Sequence, residues 1–377
     1  MYSHSSFAVI GLPSVGVPLV NGRGFFSAVS ELESYNYELP RELIAQHPLA
    51  ERSDARLLVV GKKTGEIDHF HIRDLPDLLV SDDCLVLNDT RVIQARLVGY
   101  RLRTKGRWQG LFLSEGDQGF WRMLCKTRGH LIPGEQIQLV DRDARPAITL
   151  QMGAKLPGGE WVARPNSAEN AMTLLERIGR VPLPPYIRGG EMVDADLETY
   201  QTVYATHTGA VAAPTAGLHI TQRLLEQLSR RGIQTARLTL HIGQDTFRPI
   251  SADSFADHTM HREWGSIDAT AVERIHNSRS AKGRTIAVGT TTVRVLETAA
   301  ATGQLQPWEG QTDLFIRPPH SFRAVDGLLT NFHLPRTTLL VLVRTLGGNA
   351  LVQRAYEAAI QERYRFYSYG DAMLILP

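Results

Sequence analysis

The fold is decided by the stretch TIAVGTTTVRVLETAAA, Thr285–Ala301. Thr285–Val288 has strand character, Gly289-Thr290-Thr291-Thr292 turns the chain, and Val293–Ala301 reads as a helix. A short apolar run that passes at once into a helix is half of an α/β unit. The same grammar continues on both sides. Thr221 caps a helix with Leu224, Leu225 and Leu228 on one face, Gly232 stops it, and Gln234–Ile242 follows as a strand. Asp268 caps a second helix that ends near Gly283. Downstream, 313–316 and 327–330 read as strands, 337–346 and 349–363 as helices, and 372–376 as a last strand. Upstream, 55–60 and 85–87 are strands of the same buried kind.

Between Arg96 and Arg188 the texture differs. Short apolar stretches at 111–113, 120–124 and 137–140 alternate with Gly, Pro and Asp turns, and no helical period appears before 168–178. Closely spaced short strands predict a small β-barrel. The expected fold class is α/β, an α/β domain with an inserted small β-barrel domain. Residues 35–95 and 189–377 form the first and 96–188 the second. Residues 1–34 are expected to be a disordered extension. Organised sequence begins just after Val29, so a translation start there is a hypothesis that intact mass tests.

The chain has 377 residues, 43% hydrophobic and 21% charged, which excludes a disordered, collagen-like or multi-span membrane protein. Net charge is only +2, but it is unevenly spread. Residues 95–190 hold 15 Lys/Arg against 8 Asp/Glu, and the rest 26 against 31. Arg101, Arg103, Lys105 and Arg107 have no acid near them until Glu115, so they are the candidates for steering a polyanion. Cys84 and Cys125 lie far apart with no CxxC, as expected of two reduced thiols in a cytoplasmic protein. The apolar run 7–20 lacks the basic start and cleavage site of a signal peptide, and it is too short to span a bilayer.

Several motifs can carry chemistry, each with a structural reading beside it. Asn88-Asp89-Thr90-Arg91 follows a buried strand, where ligands gather in α/β sheets, but it also reads as an Asx turn. GAVAAPTAGLHI (209–220) places Thr215, Gly217 and His219 in a tight turn before a helix, or is a plain loop. His241 and Gly243 end a strand. His258-Thr259-Met260-His261-Arg262-Glu263 holds an HxxH, but without HExxH or a third ligand at helical spacing it reads as a metal-free polar cluster. Gly289, Thr290 and Thr291 could cradle an anion at a helix N-terminus, with Arg294 one turn on, or a threonine could merely cap. Asn331-Phe332-His333 and the aromatic run with Tyr367, Tyr369 and Asp371 could stack and hydrogen-bond a base, or serve as core and turn. No P-loop, GxGxxG after a strand, or GxSxG occurs.

Taken together, YELPRELIAQHPLAERSDARLLVV (37–60), LVLNDTRVIQARL (85–97), YQTVYATHTGAVAAPTAGLH (200–219), LHIGQDTF (240–247), HTMHREW (258–264), VDGLLTNFHLPRTTLL (325–340) and RYRFYSYGDAMLI (363–375) closely resemble the S-adenosylmethionine:tRNA ribosyltransferase-isomerase family of queuosine biosynthesis. The resemblance runs in order from about Tyr37 to the end and is thinnest in the barrel-like part. It implies an α/β fold with an inserted barrel and a ribosyl transfer from S-adenosylmethionine. The acceptor would be 7-aminomethyl-7-deazaguanine at the wobble position of tRNAs with a GUN anticodon. The products would be epoxyqueuosine-tRNA, adenine and methionine. No metal or other cofactor, no membrane, a monomer and a cytoplasmic location are expected.

Such chemistry needs a base beside a sulfonium carbon, for which His219, His241, His261 and Glu263 are the candidates. The methionine carboxylate falls to Gly289–Thr291 with Arg294. Phe332, Tyr367 and Tyr369 would stack, and Asn88, Asp89, Asn331 and Asp371 would bond base edges. The chain departs from the family pattern at Thr206-His207-Thr208, Gln244-Asp245 and Pro319-His320-Ser321. Rival readings are a paralogue with another acceptor, a non-catalytic RNA-binding module and an HxxH metal hydrolase.

Overall fold

The computed structural model describes residues 31–243, 250, 254–255 and 257–377. Its first strands, β1 (Arg56–Gly61) and β2 (Ile67–His71), form a hairpin, and a short α1 (Leu75–Leu78) leads to β3 (Cys84–Asn88). β4 (Thr90–Val92) follows at once. Six strands then close into a barrel: β5 (Arg96–Arg101), β6 (Arg107–Glu115), β7 (Trp121–Thr127), β8 (Gln136–Val140), β9 (Pro146–Lys155) and β10 (Trp161–Pro165). Trp108, Phe112 and Trp121 fill it, and Leu174, Leu175 and Ile178 of α2 (Ala171–Ile178) join the same core.

After α3 (Asp196–Thr199) the chain forms β11 (His207–Ala210), which pairs in parallel with β4. The sheet is then completed by α4 (Gln222–Arg230), β12 (Gln234–Leu240), β13 (Glu263–Ile267), α5 (Ala269–Ser280), β14 (Thr285–Val288), α6 (Thr290–Ala299), β15 (Trp308–Thr312), β16 (Gly327–Asn331), α7 (Thr338–Gly347), α8 (Asn349–Gln361) and β17 (Ala372–Leu376). Nine strands run in the order β15-β13-β12-β3-β14-β16-β17-β1-β2. The central four, β12, β3, β14 and β16, are parallel. β3, β14 and β16 are buried along their whole length, as a sheet covered on both faces requires. Alternation along β1 sends Leu58 and Val60 into a core shared with α5–α8, and Leu57 and Val59 into one shared with α4. The predicted caps hold: Thr221 accepts from the Leu224 N–H and Asp268 from that of Ala271.

Three expectations need correction. Residues 313–316 are not a strand. The strand is β15, five residues earlier, and the Leu314 carbonyl instead accepts from Arg294 Nε at 3.2 Å. α6 begins at Thr290 rather than Val293 because Gly289, at φ +88°, makes the turn, so no threonine is needed as a cap. Residues 31–34, placed in the extension, form a 3-10 helix with Leu32 fully buried. Residues 1–30 lie outside the described residues.

Candidate active site

The carboxyl ends of β12, β3, β14 and β16 share one edge of the sheet. The pairs Asn331↔Ala372 and Leu57↔Ala372 bring the starts of β17 and β1 to that edge too. Asn88, His241, Gly289, Asn331 and Asp371, distant in sequence, therefore meet where open α/β sheets collect ligands.

Two adjoining concavities open there. Thr215, Asn331, His333 and Leu339 line both. The first is bordered by Gly289, Thr290 and Thr291 at the start of α6. The first turn of a helix leaves backbone N–H groups without intrahelical partners, so this wall favours an anion. Gly289 sits at φ +88°, ψ 151°, a conformation open essentially to glycine alone. The second concavity has an aromatic wall, Tyr186 and Tyr367, with ring centroids 4.9 Å apart. Tyr367 adopts φ +70°, uncommon for a bulky residue.

Asn331 joins the two spaces. Its Nδ2 donates to Tyr367 O at 3.2 Å and to His219 Nε2 at 3.1 Å. Its Oδ1 is buried and has no protein partner. A buried acceptor left unpaired costs about 1–3 kcal/mol, so a ligand N–H there would bind with that gain. His219 Nε2 is occupied as an acceptor, and burial pushes its imidazole down to about 4. It positions Asn331 and does not stand as a free base. Burial likewise pushes His333 down to about 3, and its Nε2 lies 2.7 Å from Thr330 Oγ1.

A second polar cluster lies beside the first concavity. Asn88 ties the two together: Oδ1 accepts from the Leu240 and Thr90 N–H groups, and Nδ2 donates to Thr291 Oγ1 at 3.2 Å. Thr90 Oγ1 lies 2.8 Å from His241 Nδ1 and donates to His207 O. That contact engages Nδ1, so Nε2 is the ring nitrogen left for proton transfer. Burial, then His207, lower the His241 pKa, against an upward pull from Asp89. Asp89 accepts from Thr239 and from His207 Nδ1 at 3.1 Å. Trp264 stacks on the His241 ring, with centroids 5.0 Å apart and planes 22° apart.

A family model described as queuosine biosynthesis protein matches residues 32–375. The chain belongs to that family. It is 43% identical to the S-adenosylmethionine:tRNA ribosyltransferase-isomerase of Desulfitobacterium hafniense, over 92% of this chain and all of that protein. The like-named protein of Acaryochloris marina is 47% identical over 92% of this chain and 94% of its own. The crystal structure of the S-adenosylmethionine tRNA ribosyltransferase from Thermotoga maritima aligns with a TM-score of 0.52 at 32% identity, covering 91% of this chain and all of that one.

Other residues of the family's motifs fall elsewhere than the sequence suggests. Arg294 does not line either concavity. It is buried in an ion pair with Glu263 and donates to the Thr312 and Leu314 carbonyls. Glu263, which also accepts from the Gly243 N–H at 2.8 Å, is therefore no free base. Asp371 accepts from the N–H groups of Arg56 and Arg365 and holds the chain before β17. Phe332 borders the second concavity, but it is fully buried, with its ring packed against Tyr356, Tyr364 and Phe366. Tyr369 donates to Asp196 at 2.7 Å. Gly217 is small because a Cβ would stand 2.1 Å from the Tyr204 hydroxyl oxygen, not because a ligand approaches. His261 is exposed, as is Arg91. The HxxH is not helical, and among the described residues no three His, Cys, Asp or Glu side chains gather to hold a metal. Arg101 is buried, donates through Nε and Nη2 to the two Glu135 carboxylate oxygens and through Nη1 and Nη2 to the Arg128 and His130 carbonyls, so it offers nothing to a polyanion. Arg103, Lys105 and Arg107 are exposed. Of the departures, Gln244 and Asp245 lie outside the described residues. His320 reaches Glu297 at 3.2 Å, and His207 joins the Asp89 cluster. His207, Trp264, Tyr186 and Leu339 were missed by the sequence reading, since none stands in a motif with a chemistry of its own. Among the described residues no helix is long and apolar enough to cross a membrane.

Proposed function

We propose that the chain transfers and isomerises the ribosyl group of S-adenosylmethionine onto 7-aminomethyl-7-deazaguanine at the wobble position of tRNA, releasing adenine and methionine. It is an S-adenosylmethionine:tRNA ribosyltransferase-isomerase, the activity its relatives are named for. The observation that supports this most is one pair of joined concavities. A helix N-terminus faces one side, and an unpartnered buried acceptor stands between them. S-adenosylmethionine presents a carboxylate at one end and an amine-bearing purine at the other.

In this reading the methionine carboxylate sits on the first turn of α6, at Gly289–Thr291, without Arg294. Adenine lies along Tyr186 and Tyr367 and donates its exocyclic N–H to Asn331 Oδ1. His241 is the base. Its depressed pKa keeps the ring neutral at pH 7, and its Thr90 contact leaves Nε2 as the acceptor. The tRNA carries a GUN anticodon and is steered by Arg103, Lys105 and Arg107 on the barrel. The enzyme acts as a cytoplasmic monomer without metal or further cofactor, and residues 96–188 form its separate barrel domain. Incubation with tRNA bearing the aminomethyl-deazaguanine, followed by nucleoside mass spectrometry and adenine assay, tests the reading. Absence of both epoxyqueuosine and adenine would sink it.

A further inference from the structure

Outside the concavities, the end of β12 carries a surface that the reaction so far does not use. His241 lies between two flat neighbours. On one side is the Gly209 backbone, where a Cβ would come within 2.8 Å of the ring. On the other is the Trp264 indole, nearly parallel to it. The packing holds the imidazole, and the imidazole in turn holds the indole. Trp264 nevertheless remains 36% exposed, a large aromatic left open on the rim of a polar site. Nearby, His207 donates through Nδ1 to the buried Asp89 carboxylate, and its side chain is 63% exposed. The Nδ1 contact leaves the Nε2 edge of the ring to a ligand. Arg91, on the β4–β11 ribbon, is exposed with one guanidinium nitrogen donating to the Ala205 carbonyl, and Arg262, two residues before Trp264, is exposed too. Arg262 is only loosely paired, 3.4 Å from the exposed Asp313.

A preset aromatic plane, an imidazole edge and two flanking guanidinium groups make up the recognition set for an unpaired base of single-stranded RNA. We propose that Trp264 is a stacking platform for a nucleobase of the tRNA anticodon loop, with His207 at the base edge and Arg91 and Arg262 on the adjoining phosphates. This rests on the tRNA reading above and adds the place where the loop is held. The purine of S-adenosylmethionine has the same stacking chemistry. The exposed cations favour the RNA, because two of them suit a polyanion, whereas S-adenosylmethionine carries one carboxylate, which the reading above places at α6.

The test uses the full chain, an anticodon stem-loop RNA and S-adenosylmethionine, each titrated separately. Trp264→Ala should weaken stem-loop binding about tenfold, in line with one lost base stack. Trp264→Phe should stay within about threefold, and S-adenosylmethionine binding should not change in either. Wild-type stem-loop affinity in Trp264→Ala, or a loss confined to S-adenosylmethionine, overturns the proposal. If Trp264→Ala fails to melt cooperatively, fluorescence decides. The stem-loop should quench an indole component in the wild type that is missing from Trp264→Phe, and equal quenching overturns the proposal. Because these are binding measurements, they stand apart from adenine release, whose absence in the wild type would strike the reaction instead.

Discussion

Arg294→Met separates a structural arginine from a ligand-binding one. The Arg294 and Glu263 side chains are 4% and 5% exposed. Methionine keeps the length of the side chain and removes its charge. The Glu263 carboxylate would then stay buried, with the Gly243 N–H donating to it but without its cation, and two carbonyls, those of Thr312 and Leu314, would lose a donor. Breaking a buried pair from one side costs about 3–5 kcal/mol. Against a total stability of about 5–15 kcal/mol, that is a large fraction. Urea unfolding at pH 7 should show the midpoint falling with an unchanged slope. The double variant Glu263→Gln/Arg294→Met should recover at least about 1 kcal/mol, since no lone charge remains buried. A loss below about 1 kcal/mol in Arg294→Met, together with a tenfold rise in KM for S-adenosylmethionine, would refute the reasoning and return Arg294 to the carboxylate.

Gly289→Ala meets no clash, since its nearest atoms lie 3.6 Å or more from the new Cβ, so its cost of about 1–3 kcal/mol is that of the backbone. It should lower the melting temperature and raise KM for S-adenosylmethionine, and unchanged values of both would contradict the cradle. Burial lowers His219 to about 4 from an ordinary 6.5, so its neutral form is favoured on folding and the unfolded chain binds more protons below pH 6.5. That stability is complete above pH 6.5 and is lost as pH falls toward 4. His219→Gln should flatten the fall in urea midpoint over this window, and an equal slope would count against it. Neutralising Arg103, Lys105 and Arg107 together should raise the tRNA KM and shrink its log–log salt slope by about 2 to 3. Arg101→Ser should instead destabilise the barrel, because it strands the buried Glu135. A tRNA KM unaffected by salt in the wild type would remove the barrel from RNA binding.

The alternation of strand and helix was readable because central parallel strands are apolar runs and because caps such as Thr221 and Asp268 obey local chemistry. Edge strands hid themselves. β2 reads IDHFH and β15 reads WEGQT, and such polar composition is what an exposed sheet edge requires. At the site, Gly289 and Asn331 stood out because their motifs sit just after strands. What sequence could not resolve was the partner of each charge. Arg294 lies one turn into α6 and points toward Glu263, 31 residues earlier, a pairing made only when β13 joins the sheet. Arg101 looked like part of an uncompensated basic run because Glu135, its partner, is 34 residues away in sequence and comes beside it only when β8 pairs with β5. His207 and Trp264 carried no signal, since their value comes from Asp89 and His241, which folding brings beside them.

The ribbon of β4 and β11 also ties the barrel down. The chain leaves β4, builds all six barrel strands, and returns to pair beside its point of departure. A second clasp lies further out, where Arg96 and Arg180 exchange backbone hydrogen bonds of 3.0 and 2.8 Å. The barrel is therefore fastened at two separate points rather than hung on a single crossing. The inner fastening begins at Thr90, whose Oγ1 also contacts His241 Nδ1. The same short segment thus anchors the barrel and the proposed base.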